Sequence, residues 1–481
     1  MLKRAVIVWG ATSGAGKSFV AAALARLAAR RGIGVAPFKA QNMSNNARAI
    51  EGVEIATAQY WQALAAGIAP CADHNPVLLK PEADTASQVV VHGRVRRELA
   101  ALPWRARSAQ LAQAARASFE RLAERHELLV IEGAGSPAEI NLADCDFVNL
   151  EVARWAAARA STAAVLVVDI DRGGAFAHAL GTLALLPADL RLLVRAVLLN
   201  KFRGDVALLE PGPQWLRERT GVPHVGVLPL AAAHGLPEED GTTFARAGHG
   251  PTVAVIATPR ASNLDEFSAL AAAGVQLRWV RAPRQLDGAD LIVLPGSKQT
   301  MSDLAWLRAQ GFDTALTAAA SDGRAILAVC GGMQMAGERL HDPHGYDGAR
   351  CAQADGLGLL PLVTTYGPHK RLLRGDYRFE ALAAPWRSWS GARFGGYEIR
   401  CGESAAREAA AVALSDALGQ PVGWQAGSVL GVAVHGALEH SALTHALLGV
   451  AVRGPDFDAI ADAVEAALGA PLLDELLGAT R

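Results

Sequence analysis

VIVWGATSGAGKS (residues 6–18) joins an apolar run to a glycine-rich turn that ends in Lys17-Ser18. A short apolar run bounded by glycine reads as a buried strand. Glycines followed by Lys-Ser at the start of a helical pattern make a phosphate-binding loop. Backbone N–H groups converge on phosphate, the lysine reaches the β- and γ-phosphates, and the hydroxyl ligates Mg²⁺. The usual spacing, G-x-x-x-x-G-K-[ST], encloses four residues. Here Gly10 and Gly16 enclose five. A plain strand–turn–helix has no need of Lys-Ser at this place. The reading is therefore a nucleotide site, with Gly10, Gly16, Lys17 and Ser18 as its residues.

The pattern outside this loop agrees. Residues 17–31 have helical periodicity and stop at Gly32. GVAPF (34–38), HELLVIEGAGS (126–136), STAAVLVVDIDRGG (161–174) and RAVLLNKFRGD (195–205) each run apolar into a polar or glycine-rich turn, and GVPHVGVLPL (221–230) closes the series. Such alternation belongs to an α/β fold with a doubly wound parallel sheet and ligands at the carboxyl ends of the strands. Residues 231–250 lose the periodicity. A second alternating series follows through TVAVIAT (252–258), VQLRWV (275–280), ADLIVLPGSK (289–298) and AILAVCGGMQM (325–335). From 361 to 434 the strands read as shorter and antiparallel, and 457–477 as one or two amphipathic helices. The domains expected are 1–232, a linker 233–250, a second domain 251–445 and a helical tail 446–481.

Composition excludes several classes. The chain has 481 residues, with 46 Lys and Arg against 47 Asp and Glu, a net charge of −1. That balance does not suit a nucleic-acid partner, which rewards clustered cations. The five cysteines lack C-x-x-C spacing, which argues against a disulfide framework or zinc ribbon and for a reducing cytoplasm. No apolar run reaches the ~18 residues of a membrane helix without a charge, and the apolar stretch after Met1-Leu-Lys-Arg is too short for a secretory signal. The expectation is a cytoplasmic enzyme with small-molecule partners and no membrane; composition leaves the oligomeric state open.

Other side chains complete the front site. Glu132 ends a strand beside two glycines, where a metal ligand with Ser18 is expected. Asp169 and Asp171 end another strand on the same edge. Lys39, at the end of the second strand, suits a phosphate or a substrate carboxylate. Asn200 suits either an adenine edge or a loop cap.

A second site centres on Cys330. LAVCGGMQM places it between an apolar strand and glycines that open a helix. That is the form of a nucleophile elbow, in which following N–H groups bind an oxyanion and the helix start favours thiolate. His435, at the end of GVAVHG, suits the base. Glu439 and His440 read equally as orienting groups or as a helix start. Cys71, Cys145, Cys351 and Cys401 read as ordinary residues.

Together the two sites resemble the glutamine-dependent cobyric acid synthase family, in its CobQ branch of the CobB/CobQ group. PFKAQNMSNN (37–46), NPVLLKPEADTASQVVVHGR (75–94), VIEGAGSPAEINL (130–142), VVDIDRGGAFAH (167–178), NKFRGD (200–205), LPGSKQTMSDLAWLR (294–308), CGGMQM (330–335), GGYEIRCG (395–402) and VHG (434–436) carry the resemblance over nearly the whole chain. The five-residue gap is similar to that of dethiobiotin synthetases. The resemblance implies a P-loop, dethiobiotin synthetase-like amidoligase domain fused to a class I-like glutamine amidotransferase domain. It implies ATP and Mg²⁺ as cofactors, with a corrinoid, glutamine and ATP as substrates. The implied reaction amidates the b, d, e and g carboxylates of adenosylcobyrinic acid a,c-diamide, with Cys330 as nucleophile and His435 as proton carrier. The family lacks the Glu two residues after the histidine; Ala437 agrees, so a Cys–His pair is expected. Arg400 and Gln299 depart from the family's usual His and Asn. Arg94, Arg96, Arg97, Arg105 and Arg107 read either as a corrin-carboxylate surface or as a solvated helix face. Lys80 and Gln88 lie in a stretch particular to the family. Two rival readings are the sister a,c-diamide synthase and a P-loop ATPase switch with an inactive amidotransferase module.

Overall fold

Arg4–Gly10 (β1) sits in a six-stranded parallel sheet, and its neighbours explain why it is so apolar. The strand order is His224–Pro229, Val194–Phe202, Ser161–Asp169, β1, Leu128–Glu132, Val35–Phe38. β1 pairs in parallel with Ser161–Asp169 on one side and Leu128–Glu132 on the other. Parallel strands covered on both faces need near-continuous Val, Ile, Leu and Ala rather than alternation. Residues 5–9 are buried accordingly. Helix α1 (Lys17–Arg30) follows the glycine turn, and all the strand segments read from the front half of the sequence are present. The computed structural model describes residues 1–83, 86–231, 234–237, 249–347, 352–407 and 410–478. Much of the expected linker, residues 233 and 238–248, lies outside the described residues, as does Cys351.

The second sheet has a parallel part, Gln276–Val280, Thr252–Ile256, Leu291–Leu294, Ile326–Val329 and Val429–Val432, which continues into antiparallel strands. The expectation of shorter, antiparallel strands between 361 and 434 holds for Ala411–Asp416 and Pro421–Ala426 and is corrected in length for two others. Leu362–Phe379 and Arg393–Ala406 form a long antiparallel pair. Their outer faces are solvated and polar, so the sequence lacks the apolar runs that mark a strand buried on both sides.

The compact units are not contiguous halves. One holds Met1–Ser44, Ile55–His234 and Asp456–Arg481; the other holds Asn45–Glu54 and Gly235–Pro455. Two pieces therefore cross over. The hairpin of Ala47–Ile50 and Val53–Ala56 belongs almost wholly to the second unit. Asn263 Nδ2 donates to the Ala47 carbonyl at 3.1 Å, the Leu264 N–H donates to Asn46 Oδ1 at 2.9 Å, and Lys370 pairs with Glu54. The tail helices Phe457–Leu468 and Ala470–Leu477 return to the first unit. They bury Ile460, Val464, Leu472, Leu473, Leu476 and Leu477. Arg26 and Arg30 of α1 pair with Asp458 and Asp462.

Candidate functional site

The phosphate loop is built as its glycines require. Gly16 has φ 103°, a left-handed value that penalises any side chain, and a Cβ there would lie 2.0 Å from Asn200 Nδ2. Asn200 donates to the Ala15 carbonyl at 2.8 Å, so its amide shapes the loop from below. At Gly10 a Cβ would meet the Thr12 carbonyl at 2.9 Å and Lys17 Nζ at 3.0 Å. Lys17 is buried and folds back over the loop, donating to the carbonyls of Thr12 (3.2 Å) and Gly135 (3.0 Å). No side chain caps the start of α1. Its first N–H groups point to the place an anion would take.

Glu132 is fully buried at its strand end. Ser18 Oγ donates to its Oε1 at 2.9 Å and Lys39 Nζ at 2.8 Å, while Gln59 and Gln62 of α2 (Thr57–Ala65) donate to Oε2. The residues fit a divalent cation. Two oxygens bound at ~2.1 Å to an octahedral Mg²⁺ lie roughly 3 Å apart on one edge, close to the Ser18–Glu132 separation. Asp169 and Asp171 sit at their strand end but face basic groups. Asp169 pairs with Lys201 at 3.0 Å, and Asp171 pairs with Arg203 at 2.9 Å.

In the second unit Cys330 joins Ile326–Val329 to the short helix Gly331–Ala336. Its backbone is at φ 52°, ψ −110°, a region non-glycine residues avoid and one that marks functional turns. The turn is tight: a Cβ on Gly332 would lie 2.0 Å from the Leu294 carbonyl, and one on Gly331 would lie 2.6 Å from the Ser297 backbone nitrogen. The Ser297 backbone therefore passes close to Gly331, the residue that follows the thiol.

His435 is buried against this turn, within electrostatic reach of Cys330, whose Sγ lies 3.6 Å from the Ile399 carbonyl. Its Nδ1 meets Glu266 Oε1 at 3.1 Å, and Glu266 Oε2 accepts the Gly436 N–H at 3.2 Å. Burial alone would lower the imidazole's pKa. The interactions with Cys330 and with the Glu266 carboxylate, which accepts from the ring, overcome this and raise it to about 10. The expectation of a bare Cys–His pair is thus corrected to a Cys330–His435–Glu266 array. Glu439 does not orient His435; it pairs with Arg48. Arg400 donates to Glu398 Oε2 at 2.8 Å and to the Gly402 carbonyl at 2.7 Å, so it braces its own strand. Of the five arginines between 94 and 107, Arg96 and Arg105 lie exposed in pairs with Glu98 and Asp144. Lys80 is buried and stands opposite Gln88 across a strand pair.

Residues 6–243 match the CobQ/CobB/MinD/ParA nucleotide binding domain, and residues 252–443 match the CobB/CobQ-like glutamine amidotransferase domain. The cobyric acid synthase of Methylibium petroleiphilum is 54% identical over 96% of this chain and 94% of its own length. The chain belongs to the cobyric acid synthase family. Members from Leptothrix cholodnii, at 52% identity over 96% of this chain and 94% of their own, and Variovorax paradoxus, at 51% over 99% and 100%, are similarly close. Like other cobyric acid synthase family members, the chain is an enzyme that joins a nucleotide-binding domain to a glutamine amidotransferase domain, a glutamine-dependent amidoligase. Among the described residues no helix is long and apolar enough to cross a membrane.

Sequence reasoning missed Gln59, Gln62, Glu266 and Arg48. The two glutamines carried a usable signal, because a spacing of three puts both on one helix face. For Glu266 the signal was a pair of acids, Asp265-Glu266, shortly after the first strand of the second series. Arg48 had none.

Proposed function

We propose that the chain converts adenosylcobyrinic acid a,c-diamide to adenosylcobyric acid by amidating the b, d, e and g carboxylates, using ATP and glutamine, in the cytoplasm. The observation that carries the reading is the Cys330–His435–Glu266 array in a chain that also gathers Lys17, Ser18 and Glu132 at the ends of its parallel strands. A free carboxylate has no good leaving group, so ATP must first convert it to an acyl phosphate. Lys17 and the N–H groups at the start of α1 would hold the phosphates. Ser18 and Glu132 would hold Mg²⁺, which supplies charge neutralisation on the transferring phosphoryl group. Lys39, released from Glu132, would neutralise a phosphate or the substrate carboxylate. Asn200 keeps the loop in shape.

In the second site the Cys330 sulfur attacks the side-chain amide carbon of glutamine. The N–H groups that follow Cys330 receive the developing oxyanion. His435, protonated at neutral pH, gives its proton to the departing nitrogen, and ammonia leaves a thioester on Cys330. His435 then takes a proton from water, which attacks the thioester and releases glutamate. Ammonia captures the acyl phosphate and inorganic phosphate departs. The test supplies the a,c-diamide, ATP–Mg²⁺ and glutamine and follows product mass. The reading expects up to four successive additions, each replacing OH by NH₂. Amidation of cobyrinic acid at a and c, with none of the a,c-diamide, would reverse it in favour of the sister enzyme.

A further inference from the structure

Arg48 comes from the front of the sequence, yet it lies in the second unit, on the hairpin tied down at Asn46, Ala47 and Glu54. Its side chain is 6% exposed. The guanidinium donates from Nε and Nη2 to Asp265 Oδ2, at 3.0 and 2.5 Å, and from Nη1 to Glu439 Oε2 at 3.0 Å. It also lies 5.1 Å over the Tyr397 ring. Tyr397 stacks on the His435 imidazole, with centroids 5.2 Å apart and planes 20° apart. It exchanges backbone hydrogen bonds with His435 as well, at 3.2 and 2.9 Å.

These contacts converge on the parts of the cysteine site that must not move. Asp265 adjoins Glu266, the carboxylate on His435 Nδ1. Glu439 ends the turn that begins at His435. Tyr397 forms one wall of the imidazole. A planar fork reaching two carboxylates fixes the distance between their two segments in a way a point charge cannot. Burial keeps the Glu439 carboxyl above its usual range even with Arg48 beside it. Two buried carboxylates, Asp265 and Glu266, beside the partly buried Glu439 need this cation to stay in place.

We propose that Arg48 is a positioning residue for glutamine hydrolysis: it locks segments 263–267 and 435–439 together so that Glu266 and Tyr397 hold His435 in line with Cys330. The inference rests on the reading of Cys330 and His435 given above. Its hairpin continues at both ends into the nucleotide-binding unit, toward Gln41–Met43 and toward α2. A glutaminase fragment cut from residues 251–445 would therefore lack the residue.

The experiment uses the full chain carrying Arg48→Met or Arg48→Lys. Glutamine hydrolysis is measured as kcat and KM, beside amidation driven by ammonium salts. Arg48→Met is expected to lower kcat for hydrolysis roughly 10²-fold, the scale of a 1 Å misplacement. KM for glutamine and ammonium-driven amidation should hold. Arg48→Lys should recover part of the loss. Hydrolysis by Arg48→Met at the wild-type kcat overturns the proposal. So does an equal fall in hydrolysis and ammonium-driven amidation by a variant that keeps the wild-type thermal midpoint. If Arg48→Met does not fold, Arg48→Met with Glu439→Gln removes one of the two carboxylate charges that Arg48 compensates; that double variant hydrolysing at the wild-type rate also overturns it. Failure of the underlying reading looks different: glutamine hydrolysis by the wild-type chain would survive Cys330→Ala.

Discussion

Cys330 carries a positive φ that the rest of its strand does not, and such strain persists only where surrounding structure holds it. Here the Cys330 N–H donates to the Val432 carbonyl at 2.7 Å, and the glycines behind it leave room for nothing larger. Cys330→Ala is expected to abolish glutamine-driven amidation and to keep amidation from ammonium salts, read by product mass. The same substitution should change His435. Its raised pKa of about 10 draws on Cys330 as well as Glu266, so in Cys330→Ala the imidazole should titrate lower, as followed by NMR of the ring protons. The sign for stability follows. The folded pKa lies above the unfolded value of about 6.5, so this stabilisation is full below about pH 6.5 and is lost as pH rises through about 10. Denaturant unfolding of wild type and Cys330→Ala across that window should show a gap that narrows with rising pH. A constant gap would contradict it.

Among elements, the phosphate loop makes the sharpest demand on sequence. Gly16→Ala would place a methyl inside the Asn200 amide at a φ of 103°, so either the loop or Asn200 must move. The backbone term alone is about 1–3 kcal/mol, and nucleotide affinity should fall with the lost cradle, measured by calorimetry against wild type. The loop was legible in the sequence because glycine, lysine and serine at that spacing have one joint use. The strands around it were legible because burial on both faces leaves uninterrupted apolar runs. The cysteine turn was legible through its two glycines. Glu266 was not, because its partner His435 is 169 positions away and the local cue, Ala437, pointed to a pair without a carboxylate. The hairpin at 45–54 was not legible either: its strands are four residues each, and the reason Arg48 is buried lies 217 positions away in Asp265.

For the whole molecule, interleaving decides how the chain responds to being cut. The path passes from one unit to the other at 44/45, 54/55, 234/235 and 455/456. After a single break between 234 and 249, the front fragment still owns the hairpin whose Arg48 is buried in the second unit. The rear fragment still owns the tail helices whose leucines are buried in the first. Each fragment thus supplies part of the other's core, and burying a leucine side chain is worth about 1.5–3 kcal/mol. A cleavage sequence inserted between residues 240 and 241, and then cut, should give two fragments that co-elute on a sizing column without denaturant and separate only in urea. The same cut combined with a stop after Pro455 removes the tail's anchorage and its buried leucines from the first unit. That variant should be markedly less stable, with a lower thermal midpoint in the presence of ATP. Fragments of the singly cut chain that part at once in native buffer would show that the exchanged hairpin and tail contribute little to holding the chain together.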